Sequence, residues 1–274
     1  MKKLIKLLPV FLFLSIFNIS NGEGEKKDQP LLKTASMTQG DKTGTAKSTF
    51  QYEYEDGLLV SAKRIIEITG NRGGKPMTIT KDYSDFKYLD SKVQSFSITD
   101  SLKSVNHKIN FIYSPNTITI QENKEDGKTR IREFIISFDE SERLTELRNA
   151  TYGGGQIMYE RVAKFDYPEE NIIQVTRGEN LDIIQYLEID KKIKNPFKIE
   201  QLLDFDMIDW SFIHWVYGEG VPVKHAKKKN FIETGEHEVE IRYTATPNGY
   251  TTLTETKTAA PNSEWSEFFR FEFE

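Results

Sequence analysis

The sequence predicts an all-β chain, an antiparallel meander of hairpins forming one large, curved or barrel-like sheet. One short non-repeating insert is expected to pack on that sheet. Three observations carry this reading. The dominant hydrophobic period after Thr49 is two, a phrase that closes strands recurs along the chain, and several strands are apolar on both faces.

The first 22 residues read as an address. Lys2, Lys3 and Lys6 precede an apolar run from Leu7 to Ile19, and Ser20 and Gly22 offer small residues to a signal peptidase. That run is about 13 residues, short of the roughly 20 a spanning helix needs, so cleavage after Gly22 is expected rather than anchoring. The chain has no cysteine, which excludes a lipid-modified N-terminal thiol, disulfides and thiolate metal sites. The expected compartment is therefore the periplasm or the exterior. No other stretch is long and apolar enough for a transmembrane helix.

Residues 23–48 are rich in Lys, Thr, Gly, Asp, Gln and Ser, with Leu31, Leu32 and Met37 as the larger apolar residues. Such a segment buries too little surface to offset its ordering entropy, and a disordered linker is expected there. A short edge strand around Leu31 and Leu32 is the alternative.

Residues 49–274 are expected to form a single β-meander domain. Phe50, Tyr52 and Tyr54 alternate with Gln51, Glu53 and Glu55; Val239, Ile241 and Tyr243 alternate with polar residues; Phe269, Phe271 and Phe273 do the same near the end. The recurrent phrase is an aromatic, often an acid, a polar turn and then aliphatics. It begins at Tyr54, Tyr88, Tyr113, Phe138, Phe165 and Tyr243, and the middle copies are spaced by 25, 25 and 27 residues. That length holds two strands and two turns. Asp, Asn and Ser can bond the turn backbone, and Gly57 and Gly249 can take positive φ. About 14 strands follow from this spacing.

Ile131–Phe138 and Leu181–Ile189 are apolar on both faces, so they need cover on both sides. The insert near 195–220, opening Asn195-Pro196-Phe197, supplies it as a plug or flap. Its apolar residues and Asp204, Asp206 and Asp209 form no single helical stripe, and a short helix followed by a strand is expected.

No catalytic motif is present. His107, His214, His225 and His237 lack metal-ligand spacing, and His237 between Glu236 and Glu238 reads as a solvated turn before a strand. Gly153-Gly154-Gly155 reads as a hairpin tip, since no Lys-Ser/Thr follows as in a phosphate loop. Lys224 and Lys227 to Lys229, with His225, make a basic run read as a solvated turn, with an anionic glycan or lipid headgroup as the alternative. The acids among the insert's aromatics are the place where burial could raise a carboxyl pKa for glycoside hydrolysis. Trp210, Trp215 and Tyr217 are the candidate binding residues, because exposed Trp and Tyr faces stack on sugars and anchor interfaces; if buried, they are the packing surface of the plug.

With its secretion signal, the phrase at Tyr54, Tyr88, Phe138 and Phe165 and the Asn195-Pro196-Phe197 interruption resemble secreted YD-repeat-like β-meander proteins of Bacteroidetes-type bacteria. In particular the chain resembles an uncharacterised domain family described as having a porin-like fold, over roughly Thr49 to Glu274. The resemblance implies fold and compartment; it carries over no catalytic residues. Many members of that family are lipoproteins, and this chain departs from them in lacking the cysteine.

The charge balance of 37 Lys+Arg against 42 Asp+Glu argues against a nucleic-acid partner. The functional expectation is an exported binding or scaffold protein for a glycan or a cell-envelope protein, without metal or cofactor. A small outer-membrane barrel and a glycan-active hydrolase using paired carboxylates are the alternatives.

Overall fold

The computed structural model describes residues 30–41, 44–69, 76–102, 105–178, 181, 183–201, 221–229, 237–258, 264 and 266–274. The segment read as a signal, the first part of the lead-in, and Trp210, Trp215 and Tyr217 lie outside these residues.

The described residues form 16 strands. The first half comprises β1 (Leu32–Asp41), β2 (Gly44–Glu55), β3 (Leu58–Thr69), β4 (Met77–Leu89), β5 (Lys92–Asp100), β6 (Val105–Ser114), β7 (Thr117–Lys124) and β8 (Arg130–Phe138). The second comprises β9 (Leu144–Gly153), β10 (Gln156–Glu169), β11 (Ile172–Arg177), β12 (Ile183–Asp190), β13 (Val221–Lys229), β14 (His237–Ala245), β15 (Thr251–Thr258) and β16 (Ser266–Phe273). The helical content among the described residues is one 3-10 turn, Ile199–Gln201.

Each strand pairs antiparallel with its sequence neighbours, as the hairpin phrase predicts. β1 also pairs with β16 through Ala35↔Phe271 and Met37↔Phe269, which closes the sheet into a barrel. Closure removes both sheet edges, where unpaired N–H and C=O groups would otherwise recruit another strand.

The lead-in differs from expectation. Leu32–Asp41 is strand, and β2 begins at Gly44, so a disordered linker does not extend through 48. The physical reason is tertiary. Leu32, Ala35 and Met37 are buried on the inner wall, while β2 and β16 supply backbone partners on both sides of β1. A segment too polar to make its own core borrows that of its neighbours. β1 also adds a strand to the expected 14.

The basic run Lys224–Lys229 is likewise not a turn. It is most of β13, held between β12 and β14, where Lys224 stands opposite Glu188 and Glu240. His237 is the first residue of β14, opposite Lys227.

Alternation puts one face of every strand into a single interior cluster. Phe134, Ile136, Ile109, Leu144, Ile173 and Val175 are fully enclosed, and aromatic rings meet across strands, as in Phe96 with Phe111 at 6.0 Å. The turns follow local chemistry. Asp56 and Gly57 both have positive φ (50° and 77°), as do Asp90 and Ser91 (50° and 61°), the pattern of two-residue hairpin loops matched to strand twist. Gly154 and Gly155 repeat it at the β9–β10 tip, which agrees with the hairpin reading of that glycine run.

Candidate functional site: a barrel interior divided in two

Three of the recurrent aromatics, and Tyr167 two residues past a fourth, do more than pack. Tyr54, Tyr88, Tyr113 and Tyr167 end β2, β4, β6 and β10, and each donates its hydroxyl to a carbonyl near the start of the preceding strand. The acceptors are Leu32, Leu59, Val93 and Leu144, at 2.9, 3.0, 3.0 and 2.9 Å. Two of these rings also carry a cation on their face, Lys92 over Tyr113 and Arg143 over Tyr167, each from the residue just before the acceptor. These latches, with the apolar cluster, fill the end of the barrel where the short acid-bearing turns lie.

The described part of the insert enters this apolar end. Asn195 accepts the Phe197 N–H at 3.1 Å and donates to its carbonyl at 3.2 Å, forming a small loop that aims Phe197 inward. The Phe197 ring meets Phe269 and Phe271 of β16 edge-on, at 6.1 and 5.2 Å. Four residues later Gln201 donates to the Tyr54 hydroxyl of β2 at 2.6 Å. Lys194 holds the other side, its N–H donating to the Gly249 carbonyl and its carbonyl accepting from the Thr251 N–H. The insert thus bridges β16 to β2 across β1, the place where the ring closes. The plug expectation holds for residues 195–201; the rest of the insert lies outside the described residues.

The opposite end of the interior is polar. Arg64 is buried beside Phe50, its guanidinium 5.1 Å from the ring centre and one N–H donating to Ser48 at 3.0 Å. Glu122 is buried between His107, at 2.5 Å, and Arg132, at 3.8 Å. Arg177 donates to the buried Gln185 at 2.6 Å. By register, Lys81 neighbours Arg64 and Asp100 neighbours Lys81. Charged groups facing a barrel lumen are costly unless paired, hydrogen-bonded or hydrated. The interior therefore has a dry aromatic half and a polar half.

The outer wall is charged. Lys47, Gln51, Glu53 and Glu55 on β2, Lys63 and Glu67 on β3, and Arg270 and Glu272 on β16 are all exposed. Pairs run between strands: Arg242 of β14 reaches both carboxylate oxygens of Glu255 on β15 at 2.7 and 2.9 Å, which holds the Glu255 carboxyl below its ordinary pKa. A denser knot joins Arg130, Gln121 and Tyr152 around Glu133. Burial first, and then the Glu133 hydrogen bond, push the Tyr152 phenol up. A shallow outer cleft of about 210 Å³ sits at the β4 bulge, lined by Asp85, Lys87, Ser95, Ser97 and Lys108.

Among the described residues, no group of three or more His, Asp or Glu is placed to hold a metal ion, and no helix is long and apolar enough to cross a membrane. The interior polar residues carry no sequence motif. They are scattered singly from Arg64 to Gln185, and only the strand register brings them together.

No protein-family model matches the chain, and no curated protein matches it. Solved structures do. A porin-like protein from Bacteroides uniformis aligns with a TM-score of 0.52 at 14% identity, covering 89% of this chain and 96% of that one. A porin-like protein from Bacteroides vulgatus aligns over 89% of this chain and 99% of its own, with a TM-score of 0.42 at 13% identity. The first likeness establishes a shared porin-like β fold.

Proposed function

We propose that this chain is an exported binding or scaffold protein that works in water, with the barrel interior as its ligand-bearing part. The observation that carries this is the direction of its polarity. Aromatic and aliphatic residues face inward, and exposed Lys, Arg, Asp and Glu face outward on strands around the ring. A lipid-embedded barrel has the reverse arrangement, and each outward Lys or Arg would cost about 2–4 kcal/mol at the bilayer midplane. The closed ring of 16 strands is the feature that favours the outer-membrane alternative; the charged outer wall weighs against it. Export rests on the signal-like segment and the absence of cysteine, and a cell-envelope protein or glycan remains the proposed partner class. The YD-repeat kinship belongs to the same proposal: it is supported by the hairpin phrase, three of whose aromatics, Tyr54, Tyr88 and Tyr113, take up one repeated role.

The test is fractionation of cells making the whole chain, with N-terminal sequencing of the product. Recovery in the osmotic-shock extract without detergent, with Glu23 first, is the expected result. Recovery only with detergent-extracted outer membrane would overturn the aqueous reading. A glycan array probed with the wild type and Trp215→Ala tests the aromatic platform, which predicts a signal that the variant loses.

A further inference from the structure

We infer that the outer wall across β5, β6 and β7 is a binding face for an uncharged polysaccharide, with the cleft at the β4 bulge as its anchor point. This rests on the glycan half of the partner class proposed above, and it puts that partner on a surface separate from the barrel interior.

This stretch of wall differs in chemistry from its neighbours. On β2, β3 and β16 the exposed outer residues include Lys47, Glu53, Lys63, Glu67, Arg270 and Glu272. On β5 to β7 the register lays out two rows of a different kind. Ser95 stands opposite Asn110, which stands opposite Gln121; Ser97 stands opposite Lys108, which stands opposite Asn123. Phe96, Ile109 and Ile120, which alternate with them, are in the core, so both rows face outward. Five of these six side chains are hydroxyls or amides, and Lys108 is the single cation. The first row continues to Lys87 of β4 on one side and Glu133 of β8 on the other, where Gln121 donates to Glu133 at 3.0 Å. Five strands make that row about 19 Å long.

The wall is also recessed. Ser95 and Asn123 are only 7% and 3% exposed although they face outward. The recess opens into the cleft at β4. There the register breaks between Ser84 and Lys87: Phe86 turns in to stack on Phe96 at 4.9 Å, and Asp85, at φ 56°, stays exposed on the lip. Bulges re-aim side chains in this way beside binding sites. The cleft of about 210 Å³ is lined by Asp85, Lys87 and Lys108 together with Ser95 and Ser97.

A sugar hydroxyl both gives and takes a hydrogen bond. Amide and hydroxyl side chains do the same, and neighbours across strands stand roughly 4.8 Å apart, so one ring meets several at once. In the cleft the two ammonium groups supply donors and the carboxylate supplies acceptors to the hydroxyls of one sugar unit. Ile112, 48% exposed and two residues from Asn110 on the same face, offers an apolar contact to the C–H side of a ring. A charged partner finds its complement on the charged walls instead.

The experiment is biolayer interferometry of the intact processed chain on biotin-tagged dextran, mannan, galactan and hydroxyethyl cellulose, with polygalacturonate as an acidic probe. Runs at about 20 mM and about 500 mM NaCl separate hydrogen bonding from charge attraction, which salt screens. Saturable binding to at least one neutral polymer, equal at both salt concentrations, is expected. Asn110→Ala with Gln121→Ala, and separately Asp85→Ala, are each expected to weaken it about tenfold, the loss of one or two hydrogen bonds. The charged-wall pair Lys47→Ala with Arg270→Ala should leave it unchanged. Circular dichroism confirms that each variant is folded; should the double wall variant not fold, Asn110→Ala alone takes its place. The wall is overturned by any of four results: no binding to the four neutral polymers, binding abolished by high salt or confined to polygalacturonate, full binding by the folded wall variants, or equal loss in the charged-wall pair. A signal lost in Trp215→Ala but kept by the wall variants would overturn it too, while leaving the glycan reading standing. The aqueous reading is decided separately, by fractionation.

Discussion

The Tyr54 hydroxyl lies 2.9 Å from the Leu32 carbonyl and also accepts from Gln201 at 2.6 Å. One side chain thereby ties the end of β2 to the start of β1 and to the insert. The same reach of a strand-ending tyrosine to the previous strand recurs at Tyr88, Tyr113 and Tyr167.

Tyr88→Phe, Tyr113→Phe and Tyr167→Phe are each expected to destabilise the fold by about 1 kcal/mol, the usual net worth of a hydrogen bond. Tyr54→Phe loses two bonds and is expected to cost about 2 kcal/mol. Urea unfolding followed by circular dichroism measures the series. Phe138 ends β8 in the equivalent place without a hydroxyl. Phe138→Tyr is therefore expected to be neutral or stabilising, with Ile118 as the new acceptor's residue.

Phe197 is buried against two β16 rings. Phe197→Ala should cost about 3–5 kcal/mol, as for other deeply buried phenylalanines. Hydrogen exchange should show the loss first at the β1–β16 and β1–β2 ladders, because the insert spans that seam. Uniform loss around the ring would argue against a seam-specific role.

Asp126 accepts from the Thr129 hydroxyl and from the Thr129 and Lys128 N–H groups, which lowers its pKa from 3.8 to about 2. Its contribution to stability is present above the unfolded value and disappears as pH falls through about 2. Carboxyl NMR titration should place its midpoint near 2. Thr129→Val should move that midpoint up toward the ordinary value.

Burial, with the neighbouring Tyr54 adding to it, pushes the Tyr52 phenol well above its ordinary pKa, and burial does the same at Tyr243. A raised folded pKa means that stability is intact below the unfolded value, about 10, and declines above it. Alkaline difference spectra should show these phenols ionising only as the protein unfolds. Tyr52→Phe should flatten the fall in stability.

Gly57 and Gly249 both have positive φ, but a Cβ at Gly57 would meet open space, while one at Gly249 would stand 3.1 Å from the Lys192 carbonyl. Gly57→Ala should cost about 1–2 kcal/mol of backbone strain alone. Gly249→Ala should cost more, which thermal unfolding can rank.

The meander was legible in the sequence because each hairpin writes its own signal within some 25 residues: alternation, an aromatic and a turn. The role of the aromatic was not, because its acceptor stands 20 to 29 residues upstream on another strand. β1 was legible only as the alternative, a short edge strand around Leu31 and Leu32, for a related reason. Its Thr, Ser and Gln residues look like linker until β16 arrives beside it. Lys224–Lys229 has the composition of a solvated turn, and only the backbone ladders to β12 and β14, strands distant from it in sequence signal, place it in a strand. Arg64, Lys81, Arg132 and Arg177 are unremarkable one by one, since alternation gives each strand an inner face without saying which inner faces share a level. The candidate residues Trp210, Trp215 and Tyr217 lie outside the described residues, so the aromatic platform stands as proposed.

The pairing of Ala35 with Phe271 has a temporal side. Each hairpin can zip as soon as its own residues are made, since its contacts are local. The final join must wait for the last strand. Until then the nascent sheet carries two raw borders, one from the earliest residues and one that changes with every strand added, each open to pairing with another chain.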